Sequence, residues 1–399
     1  MENNASFYGL GIAPKIIETL NHLRFKTPTP IQHKAIPLAI EGQDIIGIAQ
    51  TGTGKTMAFA IPIIQRLAQN NKRALVLVPT RELALQVEES IVKIAQPFGI
   101  RTACLIGGDP IEKQIRILHR NPRVIIATPG RLIDLMQQKQ IKLWDVSILV
   151  LDEADRMLDM GFAPQIETVV RTVPRERQTM LFSATMPPEI LRMASSYMKI
   201  PVSVEIAPPG TSAENVTHEL FIVSHDMKRQ LLSKLLTQYR GSVLLFCRTK
   251  IGAAKITRML HNDGHSAAEI HSDRTLGQRR QALDGFKSGK YRVLVATDIA
   301  ARGIDVKAIE IVINYDLPED AENYVHRIGR TGRAGRPGHA ISLATPDQKE
   351  GVSSIEKLIK KSLAISRHPE IPTVEFDKPR TFTAVRLRSR RGHSFGRRR

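Results

Sequence analysis

Three carboxylates are crowded within four positions of the sequence, directly after an apolar run. The run ILVL (148–151) is followed by Asp152, Glu153 and Asp155. Carboxylates this close together repel one another and stabilise no hydrophobic core, so the end of a buried strand is an unexpected place for them. An acidic helix N-terminus is one interpretation, because the helix dipole stabilises negative charge there. A site for a metal cation is the other.

A glycine-rich loop elsewhere in the chain decides between these interpretations. The sequence AQTGTGKT (49–56) follows the apolar run DIIGIA and precedes the helical pattern MAFAIPIIQRL. It matches the phosphate-binding pattern G/A-x-x-x-x-G-K-S/T in its strand–loop–helix context. Amides around Gly52 and Gly54 can surround phosphate oxygens, and Lys55 can reach the β- and γ-phosphates. Thr56 can bind Mg²⁺, and the loop's other predicted nucleotide-binding residues are Gln50, Thr51 and Thr53.

The loop and the carboxylates together predict a site for ATP and Mg²⁺. A protein with such a phosphate loop needs an acidic residue at the end of a neighbouring strand to hold Mg²⁺, and Asp152 has that position. Glu153 is placed to orient and deprotonate an attacking water. Because the metal ion would offset the crowded negative charge, we interpret the acidic cluster as catalytic.

Composition restricts the class of protein and of partner. The chain has 399 residues, 42% of them hydrophobic, and a net charge of +19. These values predict a globular protein of two or three domains with a polyanionic partner, nucleic acid ahead of an anionic membrane. No apolar run is long enough to span a bilayer, no secretory signal pattern is visible, and only two cysteines occur. We therefore expect a cytoplasmic protein.

Short apolar runs alternate with helix-length segments along two stretches of the chain. They are DIIGIA, ALVLVP, RVIIAT, SILVLD and TMLFSAT in the first, and SVLLFC, RVLVAT, IEIVINY and GHAISLA in the second. Such runs are typical of strands buried on both faces of a parallel sheet with right-handed crossovers. We predict α/β domains at 1–207 and 217–365, a linker at 208–216, and a basic, disordered tail at 366–399.

With AQTGTGKT and DEAD in one chain, the sequence resembles the DEAD-box RNA helicases over about residues 5–350, most closely the bacterial RhlE-like subgroup. The resemblance implies two tandem RecA-like domains that bind ATP, Mg²⁺ and RNA. It implies sequence-independent binding of single-stranded RNA and local unwinding of short RNA duplexes, with RNA-stimulated ATP hydrolysis to reset the protein. It further implies a monomer with partners in ribosome assembly or RNA decay. An ATP-gated RNA clamp or assembly scaffold with little productive unwinding is the alternative.

The segment FKTPTPIQ (25–32) is similar to the family's adenine-reading motif. The resemblance implies that Gln32 bonds the adenine edge and that Phe25 stacks on the base. As a local pattern, the segment equally predicts a helix start, with Thr29 as N-cap and Gln32 completing a capping box. The family usually has Gly before the stacking aromatic, whereas this chain has Arg24.

Two motifs in the second half of the chain add to the nucleotide site. ATDIAARGID ends at Asp305, which the resemblance assigns to the ribose. HRIGRTGR has arginines at every third position; as a local pattern it predicts a basic helix face. The resemblance makes Arg330 and Arg333 arginine fingers, because phosphoryl transfer needs cations near the transferring group. It also implies residues that couple the nucleotide to RNA, namely Asp155, Ser183, Thr185, His326 and Arg327.

The remaining motifs form an RNA track by resemblance, and as local patterns they are ordinary strand–helix connections. Helix N-termini and bare glycines can bring amides to phosphates, and arginines supply charge. The implied RNA-binding residues are Pro79, Thr80, Arg81, Gly107, Gly108, Thr128, Pro129, Gly130 and Arg131 of the first domain, and Arg248, Thr297 and Asp298 of the second. The sequence departs from the family at Ser272, which is often Gly, and at Leu276, which is usually the Gln of a QxxR element whose Arg279 is present.

The basic tail carries a prediction of its own. Residues 380–399 contain eight arginines and no acid, so they hold +8 of the net charge of +19. A segment of this composition cannot bury a core, and we expect it to tether RNA without sequence preference. If about half of its arginines bind phosphates, its deletion should make the slope of log K against log salt shallower by roughly 3. RNA binding by the full chain and by residues 1–379 over a salt series measures this slope.

The turnover number at saturating RNA should stay nearly unchanged in the truncated protein, since the tail lies outside the predicted catalytic motifs. A solvated end without a partner predicts no change in slope. Superimposed log–log lines for the two proteins would rule the tether out.

Overall fold

The computed structural model describes residues 6–50, 52–206, 216–301, 309–332, 337–372 and 374–377. Three residues of the predicted site, Thr51, Asp305 and Arg333, lie outside these ranges, as does the tail from Arg380 onward.

The first domain is built on seven parallel strands. In chain order they are β1 (Ile45–Ile48), β2 (Arg73–Leu77), β3 (Thr102–Leu105), β4 (Val124–Ala127), β5 (Val146–Asp152), β6 (Gln178–Ser183) and β7 (Val202–Glu205). Their helices are α1 (Pro14–His22), α2 (Pro30–Ile40), α3 (Lys55–Ala68), α4 (Arg81–Ala95), α5 (Ile111–Leu118), α6 (Pro129–Gln137), α7 (Ala154–Asp159), α8 (Ala163–Thr172) and α9 (Pro188–Tyr197). Every predicted apolar run of this domain lies on one of these strands.

The second domain repeats this plan. Its strands are β8 (Val216–Ile222), β9 (Val243–Phe246), β10 (Ala267–Ile270), β11 (Val293–Ala296), β12 (Ile311–Asn314), β13 (Gly338–Ala344) and β14 (Ala364–Ile365). Its helices are α10 (Lys228–Gln238), α11 (Lys250–Asn262), α12 (Leu276–Lys287), α13 (Asp298–Ala301), α14 (Ala321–Ile328) and α15 (Lys349–Ile359).

The two sheets have the same strand order. The first is β3-β4-β2-β5-β6-β1-β7 and the second is β10-β11-β9-β12-β13-β8-β14, so adding seven to each strand number of the first gives the second. All pairings within each sheet are parallel. The prediction of two tandem α/β domains is confirmed, and the shared topology, which the sequence alone did not show, is a duplication of one scaffold.

Alternating side chains bury both faces of each sheet, which is why the strand sequences are continuously apolar. In β2, Ala74 and Val76 belong to one hydrophobic cluster of the first domain, and Leu75 and Leu77 belong to the cluster on the opposite face. Helices cover both faces and shield the central parallel strands from water, whereas most residues of the edge strands β7 and β14 are exposed.

Packing continues past residue 365, where the second domain was expected to end. Ile371 is buried in a core cluster of the second domain, and Phe376 packs against another. These residues therefore belong to the second domain and not to a separate tail. None of the described helices is both long and apolar enough to cross a membrane.

The end of α1 has a left-handed residue that is not glycine. Arg24 has φ of 62°, and the Phe25 amide donates to the Leu20 carbonyl at 2.9 Å, as in a left-handed helix cap. Such a position favours glycine because a Cβ is unfavourable there. The family's usual glycine thus has a conformational reason, and Arg24 meets the same backbone requirement at a cost.

We expect Arg24→Gly to raise the free energy of unfolding of the first domain by about 0.5–1 kcal/mol, because relief of left-handed strain exceeds the added entropy of the unfolded chain. Urea unfolding of a fragment of residues 1–207 measures this. Arg24→Ala is the matched control, since it removes the same side chain and keeps the strain. A glycine variant no more stable than the alanine variant contradicts the interpretation.

Candidate active site

Three neighbouring strands bring the predicted catalytic motifs to one edge of the first sheet. Strands β5, β6 and β1 lie side by side, with Asp152 in register with Phe182 and Ile48 in register with Ser183. Because all three strands are parallel, their carboxyl ends lie together. The phosphate loop after β1, the carboxylates at the end of β5 and the SAT segment (residues 183–185) at the end of β6 therefore converge.

The phosphate loop has a backbone that only glycine adopts easily. Gly52 and Gly54 have φ of 89° and 90°, and a Cβ added at Gly54 would lie 2.3 Å from Nε2 of Gln32. Lys55, only 6% exposed, begins α3 and donates from Nζ to the Ala49 carbonyl at 2.8 Å. The loop is thus already folded around the lysine that would bind phosphate.

Gln32 links the adenine-reading segment to the phosphate loop. Its Oε1 accepts from the Thr29 amide at 3.0 Å, and its Nε2 donates to the Gly54 carbonyl at 3.0 Å. The first bond is half of the predicted capping box at the start of α2. The second bond fixes the position of this segment relative to the phosphate loop. Phe25, which lies in the same segment, is 39% exposed, so its ring is accessible. These contacts of Gln32 match the capping interpretation of the segment, and the contact of Gln32 with adenine stays a prediction.

The carboxylates are nearly inaccessible to water. Asp152, Glu153 and Asp155 are 2%, 3% and 5% exposed. Burial raises the pKa of Asp152 to about 7, and the neighbouring carboxylates add to this while Lys55 opposes it. A buried carboxyl with so high a pKa lacks sufficient positive charge nearby, as expected of a group that binds a cation.

Glu153 has a partner that the motif analysis missed. Arg156, one helical turn on, is 1% exposed and donates from Nη1 to Oε2 of Glu153 at 2.7 Å. Burial opposes ionisation of Glu153, but Arg156, Lys55 and Arg330 outweigh it and hold its pKa below the ordinary value. Glu153 therefore stays ionised, and its φ of 53° is a left-handed strain of the kind found at functional sites. The spacing of three positions was the available signal for this pair.

Asp155 joins the carboxylate motif to the SAT segment. Its Oδ2 accepts from the amides of Ala184 and Thr185, both at 3.0 Å, and from the Thr185 hydroxyl at 3.2 Å. Its own amide donates to Oγ of Ser183 at 3.3 Å. The structure thus brings together the three first-domain residues predicted to couple the nucleotide site to RNA.

Side chains of the second domain reach the same place. Arg330, 3% exposed, lowers the pKa of Glu153, and His326 contributes to lowering that of Asp155, although burial opposes both shifts. A small cavity is bounded by residues of both domains, which are Arg156, Phe246, Asp298, Asn323, His326, Arg327 and Arg330. The candidate site is therefore shared between the domains.

Arg327 organises the second domain's share of this site. It bonds both carboxylate oxygens of Asp298 at 2.6 and 2.7 Å, Oδ1 of Asn314 at 3.1 Å and the carbonyl of Asp316 at 2.7 Å. Its guanidinium also lies 5.0 Å from the ring centre of Phe246. The carboxylate of Asp298 is thus engaged by Arg327, and the contact of Asp298 with RNA stays a prediction.

Two predicted RNA-binding arginines lie beside the glycine turn of the first domain. A Cβ at Gly108, whose φ is 85°, would lie 2.3 Å from Nη1 of Arg81. Arg131 donates from Nη1 to the carbonyl of Asp109 at 3.1 Å. Three separate motifs thus meet at one cationic surface that includes Arg81 and Arg131. The other predicted residues lie just before or at the starts of α4 and α6: Pro79, Thr80 and Pro129 are buried, Thr128 is partly buried and Gly130 is exposed.

The second-domain RNA residues lie at carboxyl ends of its sheet. Thr297 directly follows β11, and its amide donates to the Ile270 carbonyl at 3.4 Å. The Arg248 amide donates to Oδ2 of Asp316 at 3.0 Å, and its side chain is half exposed.

A direct ion pair connects the domains near this surface. Arg279, 8% exposed as a residue, approaches Oε2 of Glu82, 5% exposed, at 2.8 Å. Glu82 follows Arg81 at the start of α4, and the motif analysis did not assign it a role. Its partner lies nearly 200 positions away in the sequence, so no local pattern could have revealed the pair.

The residues present fit a magnesium ion. Mg²⁺ prefers oxygen ligands and is commonly held by one or two carboxylates together with substrate phosphates. Asp152 supplies a carboxylate whose raised pKa reports a shortage of positive charge, and Thr56, the second residue of α3, supplies a hydroxyl at the phosphate loop.

Comparison with known proteins agrees with this geometry. The model of the DEAD/DEAH box helicase family matches residues 29–193, and that of the helicase conserved C-terminal domain matches residues 227–335. The ATP-dependent RNA helicase CshA of Listeria monocytogenes is 44% identical over 361 residues, which cover 90% of this chain and 69% of that protein.

Solved structures confirm the tandem RecA-like fold. S. cerevisiae Dbp5 bound to RNA and ADP BeF3 is 32% identical, with a TM-score of 0.81 over 91% of this chain and 95% of that chain. A DEAD box protein from the hyperthermophile Methanococcus jannaschii is 36% identical, with a TM-score of 0.53 over 91% and 99% of the two chains. By its family matches, its curated relatives and its site, the chain belongs to the DEAD-box family of ATP-dependent RNA helicases.

Proposed function

We propose that this protein closes its two domains around ATP and RNA, separates short RNA duplexes locally, and hydrolyses ATP to ADP and phosphate to reopen. One observation carries the proposal. Arg330 of the second domain is buried and lies within electrostatic reach of Glu153, the predicted catalytic residue of the first. Cations placed against developing phosphoryl charge are the main catalytic device in this chemistry. A complete site therefore requires both domains.

In the proposed mechanism, the first domain binds the nucleotide. Gln32 and Phe25 hold the adenine, the phosphate-loop amides and Lys55 hold the phosphates, and Thr56 and Asp152 hold Mg²⁺. An ion held by these two residues would supply positive charge against the phosphates and polarise the bond that is broken. Glu153, kept ionised by Arg156, orients the attacking water and accepts its proton.

The second domain completes the site. Arg330 stabilises the charge that develops on the transferring phosphoryl group, and Arg333 and Asp305, which lie outside the described residues, are proposed as a second finger and a ribose contact. Asp155 passes the state of the nucleotide site to Ser183 and Thr185 through its hydrogen bonds, and His326 approaches it from the other domain.

RNA is proposed to bind along the cationic surface formed by Arg81, Gly108 and Arg131 and to continue onto Arg248 and Thr297. Contacts of this kind are to the sugar–phosphate backbone, so binding is sequence-independent and the 2′-hydroxyl distinguishes RNA from DNA. Since ATP and RNA both bridge the domains, each raises the affinity for the other. Closure would bend one strand and expel its partner.

The relative placement of the domains supports this cycle. The TM-score is higher against RNA- and nucleotide-bound Dbp5 than against the Methanococcus jannaschii protein, although the latter is more similar in sequence. A score taken over both domains depends on how they are placed, so this difference favours a closed arrangement for this chain.

We further infer a cytoplasmic monomer that acts on structured RNA in ribosome assembly or RNA decay. The free thiols of Cys104 and Cys247 agree with a reducing compartment. The assignment to the RhlE-like subgroup stays a prediction.

Glu153→Gln tests the proposed function directly. It removes the carboxylate but keeps the shape of the side chain and the metal ligand Asp152. We expect ATP hydrolysis to fall by about 10²–10⁴, while ATP-dependent RNA binding persists or tightens because closure no longer ends in turnover. Strand displacement from short RNA and DNA duplexes, with and without ATP, should show RNA-specific, ATP-dependent activity only in the wild-type protein.

Lys55→Ala is the contrasting variant and should weaken ATP binding itself. Near-normal steady-state hydrolysis by Glu153→Gln would remove that residue from the mechanism. Wild-type protein that binds RNA in response to ATP without displacing strands would instead identify an ATP-gated clamp.

The shared site predicts that neither domain works alone. A fragment of residues 1–207 should bind ATP weakly and hydrolyse almost none, because it lacks Arg330. In the full chain, Arg330→Ala should lower RNA-stimulated hydrolysis by about 10³, the lower end for arginine fingers, since Arg333 is expected to share the role. Steady-state ATPase rates with saturating RNA measure both effects.

Arg330→Lys serves as the control for folding, because it keeps the buried charge and loses the planar, bidentate geometry. Its activity should lie between those of the wild type and Arg330→Ala. RNA-stimulated hydrolysis by the 1–207 fragment at the full rate contradicts the shared site.

A further inference from the structure

Helix α12 of the second domain lies along helix α4 of the first, and the two helices meet at their N-terminal turns. Arg279 in the first turn of α12 forms the 2.8 Å ion pair with Glu82 in the first turn of α4. Leu276, one turn before Arg279, is partly buried. These first turns form the described contact between the two helices.

Leu276 extends into the first domain. Although it belongs to the second domain, its side chain packs against the hydrophobic cluster of the first domain that includes Val87 and Ile91 of α4. Leu85, one turn after Glu82, packs against the same cluster. Among the described residues, no other apolar side chain of the second domain packs against either cluster of the first. Leu276 is therefore a distinctive apolar contact between the domains.

Further along, a cavity of about 520 Å³ lies between the two helices, and Leu276 and Leu85 line it. Charged side chains also line this cavity: Lys93 is the main cause of the lowered pKa of Glu89, with burial opposing it, and Lys287 and Arg280 of the second domain contribute to the lowering. Screened charges at such exposed positions hold the domains weakly. The ion pair of Arg279 and the apolar packing of Leu276, both in the first turn of α12, are therefore the short-range interactions of this contact.

We propose that Leu276 is a positioning residue, whose apolar contact with the first domain stabilises the closed arrangement and so raises the affinity of the ATP-bound protein for RNA. This inference rests on the closure cycle proposed above. Its physical basis is the burial of apolar surface that an open arrangement would expose to water, next to an ion pair that fixes the register of the two helices. A polar residue at this position, such as the glutamine usual in the family, cannot supply this stabilisation by burial of apolar surface.

Four variants and one control test the role of Leu276. Leu276→Ala and Leu276→Gln remove the apolar contact, and Leu276→Met keeps it. Leu358→Ala is the matched control, because Leu358 is a 44% exposed leucine on α15 of the same domain. Glu82→Gln removes the adjacent ion pair and leaves the apolar contact. The readout is the dissociation constant of a labelled single-stranded RNA, with and without AMP-PNP and Mg²⁺.

With AMP-PNP, Leu276→Ala and Leu276→Gln should bind RNA about 3–10-fold more weakly than the wild type, as the loss of a partly buried leucine predicts. Leu276→Met should stay within about twofold of the wild type, as should Leu358→Ala. Without nucleotide, all variants should bind alike. In steady-state hydrolysis, the loss should appear in the KM for RNA and not in kcat at saturating RNA.

If the RNA affinity of the wild type depends on nucleotide, three results would overturn this inference and leave the closure cycle standing. They are unchanged binding by Leu276→Ala, wild-type binding by Leu276→Gln, and an equal loss with and without nucleotide, which would place Leu276 on the RNA surface. If AMP-PNP does not change the RNA affinity of the wild-type protein, the closure cycle and this inference are both overturned.

Discussion

The structure depends on the compensation of buried negative charge at the end of β5. Three carboxylates that are almost completely withdrawn from water cannot all be ionised without cations close by, because desolvation of an unpaired charge is costly. The cations come from three places: Lys55 from the phosphate loop, Arg156 from the helix that carries the carboxylates, and Arg330 from the other domain. The electrostatic field of the site is therefore a property of the whole two-domain chain.

Arg330 follows a helix that is held in place by several buried hydrogen bonds. One turn before it, Arg327 is held by Asp298, Asn314 and the carbonyl of Asp316, which fixes the end of α14 against β12 and α13. The same contacts tie α14 to the loop that is expected to touch RNA after β11. One buried guanidinium therefore joins the segment predicted to bind RNA to the helix that precedes Arg330.

The parts of this protein that were predictable from sequence are those with a local physical signature. Continuous apolar runs indicated the strands, and a glycine-rich loop between a strand and a helix indicated the phosphate site. The local pattern around Gln32 predicted a capping box, and the structure shows the capping bond together with a bond to the phosphate loop that was not predicted.

The parts that were not predictable join distant segments. Glu82 and Arg279 meet only because two helices from different domains lie side by side, and the packing of Leu276 on the first domain has the same origin. The close spacing of Glu153 and Arg156 was visible, but the burial that makes their contact strong is a tertiary property. Likewise, the two sheets have the same strand order although the sequences of the two domains show no clear similarity, so the duplication could not be predicted from sequence.

That duplication explains how one scaffold serves two roles. In the first domain, Lys55 begins the helix after β1 and lies near Asp152 at the end of β5; in the second, Lys228 begins the helix after the matching strand β8, and Asp316 follows the matching strand β12. The loop before Lys228, VSHDM, has no glycine and cannot surround a phosphate.

Lys228 is instead turned inward. It is 2% exposed, donates to the Tyr315 carbonyl at 2.7 Å, and approaches Oδ1 of Asp316 at 3.3 Å. Burial lowers its pKa, and Asp316 opposes that effect. The other oxygen of Asp316 accepts from the amide of Arg248 at 3.0 Å. A lysine and an aspartate at the positions matching the predicted ATP-binding pair of the first domain thus support, in the second, the loop of Arg248 that is predicted to bind RNA.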